Sequence, residues 1–124
     1  LNLTKNPTGA NEVMKVIDRD PRRKSALIVL NDAEQDGRDI SWIYDTHFEV
    51  LINDKTASIA CTGFRAYDMA LRLHYGGWDK PIHVDPDLEK ALSKSLENAE
   101  VLYVIATYTA LYPSRAAIVK EAGK

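Results

Sequence analysis

The sequence predicts an α/β fold in three layers, a mostly parallel sheet with helices on both faces, and three observations carry that prediction. Apolar residues recur at helical spacing in four segments. Short apolar runs bounded by polar turns lie between those segments. The runs lack polar alternation, which is the pattern of strands covered on both faces, and strands of that kind separated by helices of about 10 to 13 residues belong to a parallel sheet with helical crossovers.

In chain order, Leu1 to Leu3 reads as a strand with no polar lead-in, which predicts a single domain over residues 1–124 excised from a longer chain. Ala10, Val13, Met14 and Ile17 share one face of a first helix. Ala26 to Leu30 and Ala57 to Cys61 are the next two strands, and Ala66, Met69, Ala70 and Leu73 mark the second helix. A fourth strand spans Ile82 to Val84. Asp85 is a good N-cap with Pro86 at the first helical position, starting a helix whose apolar residues are Leu88, Ala91, Leu92, Leu96 and Ala99. Val101 to Ala106 is the last strand, and Thr109 caps a final helix with Leu111, Arg115, Ile118 and Ala122 on one face. The order is β-α-β-β-α-β-α-β-α.

Composition bounds the function. The chain has 124 residues, 45% of them hydrophobic and 27% charged, as in ordinary globular domains. Sixteen Lys and Arg against eighteen Asp and Glu give a net charge of -2, without the basic excess that phosphate-backbone binding requires, so nucleic acid is not an expected partner. The longest apolar run, Val101 to Ala106, has six residues, far short of the roughly 18 to 20 that cross a bilayer. No transmembrane segment is expected, and no signal peptide opens the chain, so a cytoplasmic protein is expected. One cysteine, Cys61, makes neither an internal disulfide nor a multi-cysteine zinc site, and no metal site is expected in this chain.

In a parallel sheet the working surface is the edge where the strands' carboxyl ends stop. It collects Thr4-Lys5-Asn6-Pro7, Asn31 to Asp39, Thr62-Gly63-Phe64-Arg65, Asp85 and Thr107-Tyr108-Thr109. No GxxxxGK[ST], GxGxxG, HExxH, CxxC or GxSxG pattern occurs, so no complete catalytic motif is present. Cys61 ends a strand at that edge, yet none of His47, His74 and His83 is placed by sequence to activate it, and a buried structural cysteine is expected. Asp32, Glu34, Asp36 and Asp39 form an acidic loop, and such loops are ordinarily turns whose side chains bond the local backbone. The segment that follows, Ile40 to Asp45, alternates isoleucines and aromatics with short polar residues and is expected to anchor that loop. A carboxylate on an anchored loop is a plausible orienter of an imidazole or ammonium.

Leu3 to Asn11 (LTKNPTGAN), Leu30 to Asp32, Asp36 to Asp45 (DGRDISWIYD), Thr62 to Leu73 (TGFRAYDMALRL) and Tyr108 to Leu111 carry a resemblance to a known family. The chain resembles, over essentially its whole length, the C-terminal domain of MurT proteins, the Mur-ligase-like subunits of lipid II isoglutaminyl synthase. The resemblance implies a Rossmann-like fold of the Mur ligase C-terminal domain type. It implies a part in ATP-dependent amidation of the α-carboxyl of D-glutamate in the lipid II stem peptide, with ammonia from glutamine hydrolysed by a partner, the class I amidotransferase GatD. In that family the amidotransferase carries Cys and His, and the C-terminal MurT domain supplies an Asp as the third member, which by motif position is Asp39. Asp36, Arg38 and Trp42 are then candidates for loop support or partner contact, Arg38 pairing with Asp36 or with the partner surface. Lys5, Asn6 and Arg65 are candidates for nucleotide or substrate contact. ATP, Mg2+ and a zinc ribbon belong in the family to a central domain with a P-loop that this sequence lacks, so no cofactor is expected on this chain alone, which is expected to be inactive by itself. The implied place of action is the cytoplasmic face of the membrane. The competing expectation is a non-catalytic α/β adaptor or ligand-binding domain of the same shape.

Overall fold

The computed structural model describes residues 1–4, 6–97 and 99–123. Five strands, β1 (Asn2–Leu3), β2 (Lys24–Val29), β3 (Thr56–Thr62), β4 (His83–Val84) and β5 (Val101–Ala106), alternate with four helices, α1 (Pro7–Arg19), α2 (Ala66–Tyr75), α3 (Leu88–Ser95) and α4 (Tyr108–Ala122). The predicted element order is found unchanged. Every strand pair is parallel, in the order β1-β5-β2-β3-β4.

Alternate residues of the central strands feed the two faces, as a side-chain period of two requires. Ala26, Ile28, Ile59, Cys61 and Ile105 pack with Met14 and Ile17 of α1 and Met69 and Leu73 of α2. Leu27, Val29, Ala60, Val104 and Ala106 pack on the other face with Ala91 and Leu92 of α3 and Ala110 and Ala117 of α4. The fold is therefore a three-layer α/β/α sandwich with both helix layers filled. All six residues of β2 are buried, which explains its lack of polar alternation.

Three local expectations are corrected. The side chain that caps α3 is Asp87, accepting from the backbone N–H groups of Glu89 and Lys90, while Asp85 lies two residues earlier and accepts from the Asp87 N–H. The helix stops at Ser95, and Leu96 is exposed, because the Leu92 and Lys94 carbonyls accept the Leu96 amide and close the last turn. Thr107, not Thr109, is the N-cap of α4, and the buried stripe of that helix is Ala110, Ser114 and Ala117. Arg115 is exposed. The face read from Leu111 and Arg115 was one residue out of phase, because small side chains rather than large ones let α4 approach the sheet.

Between β2 and β3 the chain makes three single 3-10 turns, Glu34–Asp36, Ser41–Tyr44 and Phe48–Leu51. Ile43, Phe48 and Leu51 are fully buried in the α1/α2 layer. At the opposite end of the sheet, Asp20 follows α1 and accepts hydrogen bonds from the Tyr103 hydroxyl of β5 (2.7 Å) and from Arg22 (2.7 Å). The Arg22 guanidinium, with Tyr103, holds the Asp20 carboxyl well below the usual range.

Candidate functional site

Because every strand is parallel, the five loops that leave their carboxyl ends meet along one edge. Asn31 is the hub of that edge. Its backbone N–H donates to Thr107 Oγ1 (3.0 Å), its side-chain amide donates to Thr109 Oγ1 (3.1 Å), and its Oδ1 accepts the Phe64 N–H (2.9 Å). One side chain thus ties the loops after β2, β3 and β5. Gly63 makes the close approach possible: at φ +96, a Cβ there would stand 2.6 Å from the Leu30 carbonyl oxygen and 2.8 Å from Asn31 Oδ1.

The acidic loop divides into an inner and an outer carboxylate. Asp36 is buried, and its carboxylate accepts the Ala33 N–H (3.2 Å) together with the backbone N–H (2.6 Å) and hydroxyl of Thr109. The loop is thereby pinned to the first turn of α4, so loop support by Asp36 has a direct structural form. Gly37, at φ +83, then turns the chain outward. Arg38 and Asp39 are exposed, and no ion pair joins Arg38 to Asp36. Asp39 Oδ1 accepts the Ser41 N–H (2.9 Å), and that bond, with the Ser41 side chain, holds its carboxyl below the ordinary value. Asp39 is an ionised carboxylate presented to solvent on a short, pinned loop.

The anchoring segment behaves as its composition predicts, though not as alternation alone suggests. Ile43 is buried and Trp42 is packed against the same cluster. The main tether is Arg72 of α2, a residue the sequence reading passed over. Its buried guanidinium donates to the Ile43 carbonyl (2.8 Å), the Thr46 carbonyl (2.9 Å) and Glu49 (2.5 Å), with the Tyr44 and Phe48 rings 5.7 and 5.8 Å away. The available signal was a lone arginine between Met69 and Leu73 on an otherwise apolar helix face.

The remaining candidates are placed as follows. Arg65 is bound on two sides, to Asp32 (2.9 Å) and Asp68 (2.8 Å), which raise its already high pKa and hold Asp68 low. Asn6 caps α1, its Oδ1 accepting the Gly9 N–H (2.9 Å). Lys5 lies outside the described residues. With Arg65 between two carboxylates and the Asn6 oxygen taken, the described candidates do not compose a nucleotide site of their own. Cys61 is fully buried, and burial pushes its thiol up to about 12, which removes it as a thiolate nucleophile near neutrality. His83 lies 3.6 Å from Asp85, and the His47 N–H donates to Asn11. Among the described residues, no three His, Cys, Asp or Glu side chains are grouped to hold a metal ion, and no helix is long and apolar enough to cross a membrane.

Comparison with known proteins gives one answer. Residues 3–111 match the profile of the family described as MurT ligase C-terminal. The subunit MurT of lipid II isoglutaminyl synthase (glutamine-hydrolyzing) from Staphylococcus aureus strain COL is 40% identical over 113 residues, 91% of this chain and 26% of that protein. The protein of the same name from Streptococcus pneumoniae strain ATCC BAA-255 / R6 is 36% identical over 118 residues, 93% of this chain and 26% of its own length. The chain therefore spans about a quarter of the length of these curated relatives.

Proposed function

The chain belongs to the MurT ligase C-terminal family, and from that premise we propose that it works within a lipid II isoglutaminyl synthase as the domain that completes the glutaminase site of a GatD-type amidotransferase. The full reaction amidates the α-carboxyl of D-glutamate in the peptidoglycan stem peptide, at the cytoplasmic face of the membrane, with ammonia released from glutamine. ATP with Mg2+ supplies the activation of that carboxyl and is held by other parts of the full-length subunit, as is zinc in its ribbon. The adaptor alternative is set aside because the match extends over 91% of the chain to relatives named as subunits of that enzyme.

The observation that carries the reading is the state of Asp39. A Cys-His pair needs a third group that accepts the imidazole Nδ1–H, fixes the tautomer and stabilises the imidazolium formed when the thiol proton is taken. Asp39 is exposed, ionised and oriented by Ser41, on a loop that Asp36 fastens to α4 and Arg72 fastens to α2. Supplying the carboxylate from a second chain makes glutamine hydrolysis depend on assembly, so ammonia is released only where an acceptor site is attached. Arg38, one residue before, is a free cation for the partner's surface. Arg65 acts here as a brace of the edge, and contact with a nucleotide or substrate by Lys5, Asn6 or Arg65 would need groups from the rest of the subunit.

The test is glutaminase activity of the cognate amidotransferase with the full-length subunit, wild type beside Asp39→Asn. Asparagine keeps the size and loses the charge, so binding should persist while kcat falls by about 10⁴. Near-normal hydrolysis by an assembled Asp39→Asn complex would remove Asp39 from the mechanism.

A further inference from the structure

The outward face of α2 carries side chains that the core does not use. Tyr67, Leu71 and Tyr75 follow one another at four-residue spacing, opposite the buried Ala66, Met69 and Leu73, and Phe64 stands just before the helix. They are 76%, 47%, 72% and 85% exposed. The charges beside them are already spent on each other, since Asp68 is paired with Arg65. Soluble monomers scatter exposed apolar residues singly, so a line of three aromatic rings and a leucine marks a contact surface.

This line is joined physically to the segment that positions Asp39. Arg72, on the same helix, bonds the Ile43 and Thr46 carbonyls, and the Tyr44 ring, itself half exposed, lies against its guanidinium. That segment begins at Ser41, the partner of Asp39. At the other end of the line, the Phe64 amide is fixed by Asn31 and Arg65 by Asp32, both at the stem of the acidic loop. The aromatic face and the exposed carboxylate are thus two features of one braced surface.

We propose that the outward face of α2, Phe64, Tyr67, Leu71 and Tyr75 with Tyr44 beside it, is the seat of the amidotransferase subunit whose imidazole Asp39 orients. This rests on the reading of Asp39 given above and goes further by saying what holds the two chains together. A carboxylate orients an imidazole only within hydrogen-bond distance, about 2.6–3.2 Å, and one exposed, water-screened charge contributes little affinity by itself. Desolvated tyrosines and phenylalanines contribute much of the affinity in protein interfaces and set a rigid distance between them. The partner surface that fits is apolar and surrounds a recessed Cys-His pair.

The experiment measures both the dissociation constant and the glutaminase rate of the complex between the full-length subunit and its amidotransferase. Tyr67→Ser combined with Leu71→Ser should weaken binding by at least about 10-fold, raise the half-activating concentration in parallel, and leave the rate at saturation close to wild type. Val119→Ser, an equally exposed substitution on α4, should leave both unchanged and shows that surface polarity alone is not being read. Asp39→Asn should do the reverse of the stripe variant, binding normally and failing to activate. Unchanged binding by the stripe variant would overturn the docking proposal while leaving the Asp39 reading intact. Loss of self-association of the subunit, with the hetero-complex unaffected, would also overturn it by assigning the face to a second copy. Retained activation by Asp39→Asn would sink the Asp39 reading and, with it, the premise of this one.

Discussion

A methyl group on Gly63 would meet the Leu30 carbonyl oxygen at 2.6 Å, in a backbone conformation that side chains rarely adopt. Gly63→Ala should therefore destabilise the protein by about 1–3 kcal/mol from backbone strain, read as a lower urea midpoint with an unchanged slope. A smaller loss would mean that the Asn31 hub opens without cost. The division of labour within the acidic loop is likewise a matter of single residues, and it was only half legible in the sequence. Asp36 and Asp39 sit in the same polar run, and local pattern treats them alike. What separates them is Thr109, 73 residues away, which takes Asp36 inward. Arg65 was misjudged for the same reason, since a cation at a loop edge reads as free until its two carboxylate partners are seen.

Among the elements, those whose face pattern is strong were read in place, and those that depend on distant partners were not. Val101–Ala106 was found with the expected bounds because it is a continuous apolar run. The phase of α4 was missed because its buried residues are Ala110, Ser114 and Ala117, which no hydrophobic count favours. The stretch from Ser41 to Leu51 was legible as an anchor but not as three 3-10 turns, since its conformation is set by Arg72 reaching in from α2. That dependence is testable. Arg72→Ala orphans two buried carbonyls and should cost about 3 kcal/mol, with hydrogen-exchange protection lost first over residues 41–51. Lysine should rescue poorly, because an ammonium is not a planar fork. Uniform loss of protection across the sheet would instead show that Arg72 supports the whole core.

For the molecule as a whole, fold class followed from strands with no polar alternation, whereas the strand order did not, because nothing local says that β5 lies between β1 and β2. One ion pair reports on that closure. Asp20 joins the end of α1 to Tyr103 of β5 and to Arg22, and its carboxyl is held low mainly by the Arg22 guanidinium. A carboxyl with a depressed native pKa contributes stability above its unfolded value, near pH 4, and loses that contribution as pH falls through the native value. Wild type should thus lose stability more steeply than Asp20→Asn below about pH 4, the two denaturation curves converging in acid. Parallel curves would show that the pairing is worth the same at every pH and that Asp20 is not the linked group.

The place of β5 has one more consequence. β2 pairs with β3 in a register that needs only the first 62 residues, but its other edge and all of β1 wait for Val101–Ala106. During synthesis the ribosome releases the amino-terminal strand first and the residues that hold it almost last. A nascent chain stalled before Val101 therefore carries β2, its most buried strand, with one edge bare, and is the species a holdase chaperone should recognise. Release of the last two dozen residues slots β5 into that gap, and the catalytic edge and the finished sheet come into being in the same step.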